Sequence, residues 1–128
     1  MDDKETTLVI QVLERTKTIL EKQGFCKGSL CISKSGERPL LGDALLGRED
    51  LEMCLFTAFR KAFKEVKKKD LCRHKPKDEA YLEPLFYAIF EERKVDIIRL
   101  TKWNDEPERT LGDLLNAIQR AIDTEREK

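Results

Sequence analysis

Three stretches of this chain repeat their apolar residues every three or four positions, and that period leaves few folds open. Val9, Val12, Leu13, Thr16, Ile19 and Leu20 make one stripe. Leu51, Leu55, Ala58, Phe59, Ala62, Phe63 and Val66 make a second, and Leu111, Leu114, Leu115, Ile118 and Ile122 a third. Steps of three and four are those of an α-helix with one apolar face. Each face needs a cover, and helices that cover one another form a bundle. The spacing predicts helices over residues 3–23, over 49–68 and from 111 onward.

The punctuation agrees. Gly24 follows the first stripe and suits the left-handed position after a helix. Thr110 and Asp113 are spaced as a capping box at the start of the last helix. A fourth helix is expected over 79–93. Proline is best tolerated in a first turn, so Pro84 places its start near Glu83, with Ala80–Leu82 as a lead-in. Residues 95–102 read as a helical continuation or a short buried strand, with the helix favoured. The segment GFCKGSLCISKSGERPLL, 24–41, is rich in turn formers. It predicts a hairpin of Ser29–Ser33 and Arg38–Leu41 around Lys34–Glu37. GDALLG, 42–47, suits a short helix capped by Asp43. CRHKPK, 72–77, reads as a loop and DTEREK, 123–128, as a frayed tail. The expectation is one mainly α domain over 1–128, with about four main helices and a short β-hairpin after the first.

The chain has 128 residues, 39% of them charged, against roughly 25% in an average soluble domain. The excess fits helices with solvated outer faces. Formal net charge is zero, but the charges are segregated. Residues 60–77 hold nine Lys/Arg against two acids, and 78–128 hold thirteen acids against eight Lys/Arg. No signal sequence is expected ahead of the first helix, and no apolar run approaches the roughly 20 residues that span a bilayer. A cytoplasmic protein with no membrane contact is therefore expected. Cys26, Cys31, Cys54 and Cys72 are expected to be reduced thiols there.

Two stretches carry a family resemblance, ILEKQGFCKGSL…RPLLGDAL and KWNDEPERTLGDLLNAIQRAI. In order and spacing the chain resembles small bacterial and phage proteins classed as a domain of unknown function. The shared positions are Gly24, Phe25, Gly28, Leu41 to Leu45, Trp103, Asn104, Asp105, Pro107, Arg109 and Thr110. Asp43 departs from an expected small residue, and Glu108 stands where glycine is frequent. The middle of the chain, 48–100, lies outside these motifs. The resemblance implies a fold and a turn before the last helix, and no activity.

Each candidate site has an architectural reading beside a functional one. Trp103 can close the core while Asn104 and Asp105 accept backbone N–H groups in an Asx turn, with Arg109 pairing to Asp105 or Glu106. The same residues, with Phe25 and Cys26, can instead form a recognition surface, where the Arg109 fork would take a carboxylate or phosphate. Arg60, Lys61, Lys64, Lys67 and Lys68 lie opposite the apolar stripe of their helix. They read as a solvated face, or as a phosphate-contacting face for nucleic acid within 60–77. Cys26, Cys31, Cys72 and His74 do not match the usual zinc spacings. A Cys26–His74 dyad would have the only histidine as its base. Gly24-x3-Gly28 lacks the Gly-Lys-Ser/Thr ending of a phosphate loop, and no Gly-x-Ser-x-Gly elbow occurs. The sequence therefore calls for no metal and no cofactor. Its first reading is a non-catalytic interaction or regulatory module with a protein partner, a second copy of the chain included. A nucleic-acid-binding accessory protein comes second and a small enzyme third.

Overall fold

The computed structural model describes residues 3–29, 31–33, 36, 48–72 and 74–128. Their elements are α1 (Asp3–Gln23), β1 (Cys31–Ser33), β2 (Leu51–Met53), α2 (Leu55–Lys67), α3 (Pro76–Phe90), α4 (Ile97–Asn104) and α5 (Leu111–Arg126). The protein is mainly helical, with a small antiparallel strand pair after the first helix.

The core forms where the three stripes meet. α1 packs on both α2 and α5, α3 packs on α5, and α4 on α2. All six α1 stripe residues are buried, as are Phe59 and Phe63 of α2 and Leu114, Ile118 and Ile122 of α5. Thr16 enters this apolar wall because its hydroxyl donates to the Val12 carbonyl at 2.8 Å, leaving no unmet donor. Phe63 meets Tyr81 edge to face at 5.4 Å and so joins α2 to α3.

α1 ends as its sequence predicts. Gly24 has φ +91° and donates its N–H to the Leu20 carbonyl. The chain then runs beside β2. Met53 N–H donates to Gly24 O at 3.1 Å, and Cys26 N–H donates to Met53 O at 3.2 Å. β2 pairs on its other side with β1, in the register Cys31 to Met53 and Ser33 to Leu51.

Several boundaries differ from the sequence reading, each for a physical reason. Leu51 belongs to β2 and not to the second helix, which starts at Leu55. It is buried through the strand alternation Leu51-in, Glu52-out, Met53-in. The expected strand Arg38–Leu41 and the short helix at 42–47 with Asp43 lie outside the described residues. Of the turn 34–37 only Gly36 is described, its N–H on the Ser33 carbonyl at 3.0 Å. α3 starts at Pro76 and not near Glu83, so residues 76 and 77 are helical. Pro76 takes the first-turn position that suits proline, and Pro84 sits inside the helix. Residues 97–104 are helical, so Trp103 and Asn104 close α4 and only Asp105 opens the turn. α5 keeps its helix to Arg126, and Glu125 is buried, so 123–128 is no frayed tail. The capping box of Thr110 and Asp113 is present in both directions.

Candidate functional site

Asn104 is the center of the junction that the sequence singled out. It is 1% exposed. Its Oδ1 accepts the Leu55 N–H at 2.9 Å, and its Nδ2 donates to Cys26 O at 3.1 Å and to Asp105 Oδ1 at 3.0 Å. The first N–H groups of a helix have no partner within it. Leu55 opens α2, so Asn104 serves that helix as a cap delivered from another part of the chain. Cys54 supplies the local cap, its sulfur accepting the Thr57 N–H at 3.4 Å. Burial pushes the Cys54 thiol up in pKa, against smaller opposing effects of Thr57, so it stays protonated at neutral pH.

Asp105 extends the junction outward. The same Oδ1 accepts the Gly28 N–H at 2.9 Å, where φ is +75°. Lys27 Nζ donates to Pro107 O at 2.8 Å and lies over the Phe25 ring. The Asn104 and Asp105 oxygens thus accept N–H groups from distant segments and not within a local Asx turn.

Trp103 is partly buried against the rim of the core, and Asn104 takes the buried place beside it. The Arg109 guanidinium carbon lies over the indole, 3.9 Å from its center, and its Nε donates to the Trp103 carbonyl. Its fork pairs with Glu106 and approaches Asp113 at 3.9 Å. The Arg109 side chain is 17% exposed, so this guanidinium faces inward. Cys26 is buried and donates its thiol to Ser29 O at 3.3 Å. The structure therefore joins Cys26 to Asn104, Asn104 to Asp105 and Trp103 to Arg109, and Phe25 meets this cluster only through Lys27, which reaches Pro107.

The other candidates are dispersed. His74 is exposed and lines a groove at the start of α4. Its neighbors there include Glu79, Lys94, Val95, Ile98 and Arg99. Among the described residues, no three His, Cys, Asp or Glu side chains are gathered as for a metal ion. Of the basic residues on α2, Arg60, Lys64 and Lys67 are partly buried and Lys68 is exposed. Lys67 is turned to Tyr81, donating to its hydroxyl at 3.2 Å. Lys61 is not on the outer face at all: it is 4% exposed. Its Nζ donates to Gln23 Oε1 at 2.6 Å and to Arg48 O at 3.2 Å. Burial pushes the Lys61 ammonium below its usual pKa, with Glu65 and Glu49 acting the other way and Arg15 reinforcing the shift.

Lys61 and the α4 groove were missed by the sequence reading. Lys61 falls opposite the apolar stripe, so helical period gives no sign of its burial. The end of α1 and the segment leading into β2 cover it, and neither contact is local. The groove had one sequence signal, the pair Ile97-Ile98 after Asp96. On the helix capped by Asp96, Ile97 turns toward the core and Ile98, the next residue around, faces solvent.

A family of unknown function, DUF6197, matches the chain over residues 4–124. The chain belongs to DUF6197. The match includes the middle, 48–100, which the two motifs did not reach. In this DUF6197 protein it therefore covers the Asn104 junction, Lys61 and the α4 groove together. No curated protein and no solved structure matches the chain. No helix among the described residues is long and apolar enough to cross a membrane.

Proposed function

We propose that the protein is a non-catalytic interaction module whose contact surface is the groove at the start of α4. The observation that carries this reading is Ile98, 70% exposed and the only large apolar side chain so exposed among the described residues. Val95 and Ile97 flank it, partly buried. Arg99 stacks on Phe90 at 4.3 Å and Arg93 on Tyr87 at 4.2 Å, so the ground beside the groove is already ordered. Arginine and aromatic side chains with an apolar anchor are typical of the residues that dominate protein interfaces. Arg93 and Arg99 are neutralised by Glu83 and Glu92. Lys94 on the rim and Lys75 and Lys77 beside His74 have no partner among the described residues. Glu79, Glu92 and Asp96 line the same groove, so the occupant is a segment of a partner protein that sets an apolar side chain against Ile98 and a carboxylate against Lys94 at the rim. We read the setting as the cytoplasm of a bacterial or phage-infected cell, on the resemblance carried by the Trp103–Thr110 motif.

The test is retention of a stoichiometric partner by the wild type, by Ile98→Asp and by Lys94→Glu, each shown to be folded. Loss in both variants supports the groove. Retention in both removes it. Recovery of the chain itself as an Ile98-dependent dimer would replace the partner by a second copy. A nucleic-acid reading rests on exposed Lys68, Lys75 and Lys77. It predicts salt-sensitive retention of DNA or RNA that is lost when these three become Glu and kept in Ile98→Asp.

A further inference from the structure

We propose that the cavity between α1 and α2 is a binding site for the phosphoryl or carboxylate group of a small ligand, with Lys61 at its back wall. The cavity has a volume of about 150 Å³ and is lined by Arg15, Ile19, Lys22, Gln23, Glu49 and Lys61. That is on the order of ten times the space one water needs. Three of these side chains are cationic and one is a carboxylate.

The buried amine sets the chemistry. An ammonium has three N–H donors and is costly to bury without an opposite charge. Two Lys61 donors go to neutral oxygens, of Gln23 and of the Arg48 carbonyl. The third has no acceptor among the described residues. Nor does Lys61 make an ion pair there. Of the two carboxylates whose charge acts on it, Glu65 is paired with Arg15 and Glu49 is exposed. Gln23 holds the arrangement in place, since its own amide donates to Arg48 O and to Leu51 O. It thereby presents only its oxygen to Lys61. Lys22 stands exposed at the mouth with no partner among the described residues, and Glu49 stands exposed beside it. Glu49 opposes an anion, but it lies at the solvated rim while Lys61 lies within. An oxyanion in the cavity would accept the free Lys61 donor and supply the missing counter-charge. Lys22 would close on it from the mouth, beside the Arg15–Glu65 pair.

The experiment uses the full chain, with inorganic phosphate and with acetate as probes, at ionic strength held constant with sodium chloride. Amide chemical shifts and melting temperature are followed together. The expected result is a saturable perturbation centered on residues 15, 19, 22, 23, 48, 49 and 61, with a rise in melting temperature. Binding should weaken at least about tenfold in Lys61→Met, the loss expected when a charged hydrogen-bond donor is removed. It should weaken also in Lys22→Gln, a surface change that leaves the fold intact if Lys61→Met does not fold. Saturation by phosphate points to a phosphoryl-bearing ligand and saturation by acetate to a carboxylate-bearing one, and either supports the site. The proposal is overturned if neither probe saturates, or if the perturbation lies on the exposed lysines 68–77. Unchanged affinity in Lys22→Gln together with unchanged affinity in Lys61→Met would overturn it equally.

Discussion

One amide group, that of Asn104, meets a helix start, a strand-edge carbonyl and a carboxylate at once. Replacing it by alanine strands the Leu55 N–H away from water and takes the amide donor from the Cys26 carbonyl. Asn104→Ala should therefore cost about 3 kcal/mol, since each stranded buried group costs roughly 1–3. Asn104→Asp keeps the acceptor but turns a second carboxylate on Asp105. Its urea midpoint should be depressed at neutral pH and partly recover as pH falls through the carboxylate range. A midpoint independent of pH would contradict the assigned hydrogen bonds. Trp103 behaves differently from its neighbor. A fully buried tryptophan loses roughly 3–5 kcal/mol on truncation to alanine. Trp103 is only partly buried, so Trp103→Ala should cost about 2 kcal/mol, less than Asn104→Ala. The ranking is the reverse of what residue size alone suggests, and chemical denaturation of the two variants checks it.

Lys61 makes a pH prediction of definite sign. Its folded pKa is lowered from 10.5 by burial, with Arg15 adding to the shift and Glu65 and Glu49 resisting it. Between the folded and unfolded values the unfolded chain binds more protons, so stability rises with pH there. Below the folded value the cost of burying the charge is constant. The wild type should gain stability relative to Lys61→Met as pH rises toward 10.5. Paired urea titrations would read this, and a constant difference across the alkaline range would contradict the buried charge.

At the scale of elements, what was legible in the sequence is what depends on neighbors along the chain. The α1 stripe, the Gly24 stop and the Thr110–Asp113 box all rest on residues within a turn or two of one another. The start of α2 was not legible, because Leu51 and Leu55 continue one helical period although Leu51 lies in a strand. Only pairing with β1 and with Gly24–Cys26 gives β2 to the sheet. The Trp103–Arg109 segment was legible as a cluster of polar and aromatic side chains, whereas the inward turn of Arg109 was not. Two helix ends also escaped notice. α2 and α3 close on Lys68 and Glu91, both left-handed without being glycine, at φ 62° and 58°. A side chain in that conformation costs roughly 1–2 kcal/mol, and glycine gives back part of the gain through its looser unfolded chain. Glu91→Gly, at an exposed position, should thus raise stability by about 0.5–1 kcal/mol. A lowered melting temperature would contradict the strain.

For the molecule as a whole, the junction, the α4 groove and the Lys61 cavity are built on different parts of the bundle. The first consumes its polar groups internally, and the other two leave some unspent. The long-range character of the junction has a kinetic side as well. Its bonds join residues 49, 77, 78 and 80 positions apart: Leu55 to Asn104, Gly28 to Asp105, Cys26 to Asn104 and Lys27 to Pro107. Closing such loops costs chain entropy before any bond is gained. These bonds should form on the native side of the folding barrier. Asn104→Ala would then steepen the loss of the native state and leave its formation nearly as fast, so stopped-flow traces should show the change in the unfolding limb. The Asn104 latch, on this account, governs how long a folded molecule lasts more than how quickly one is made.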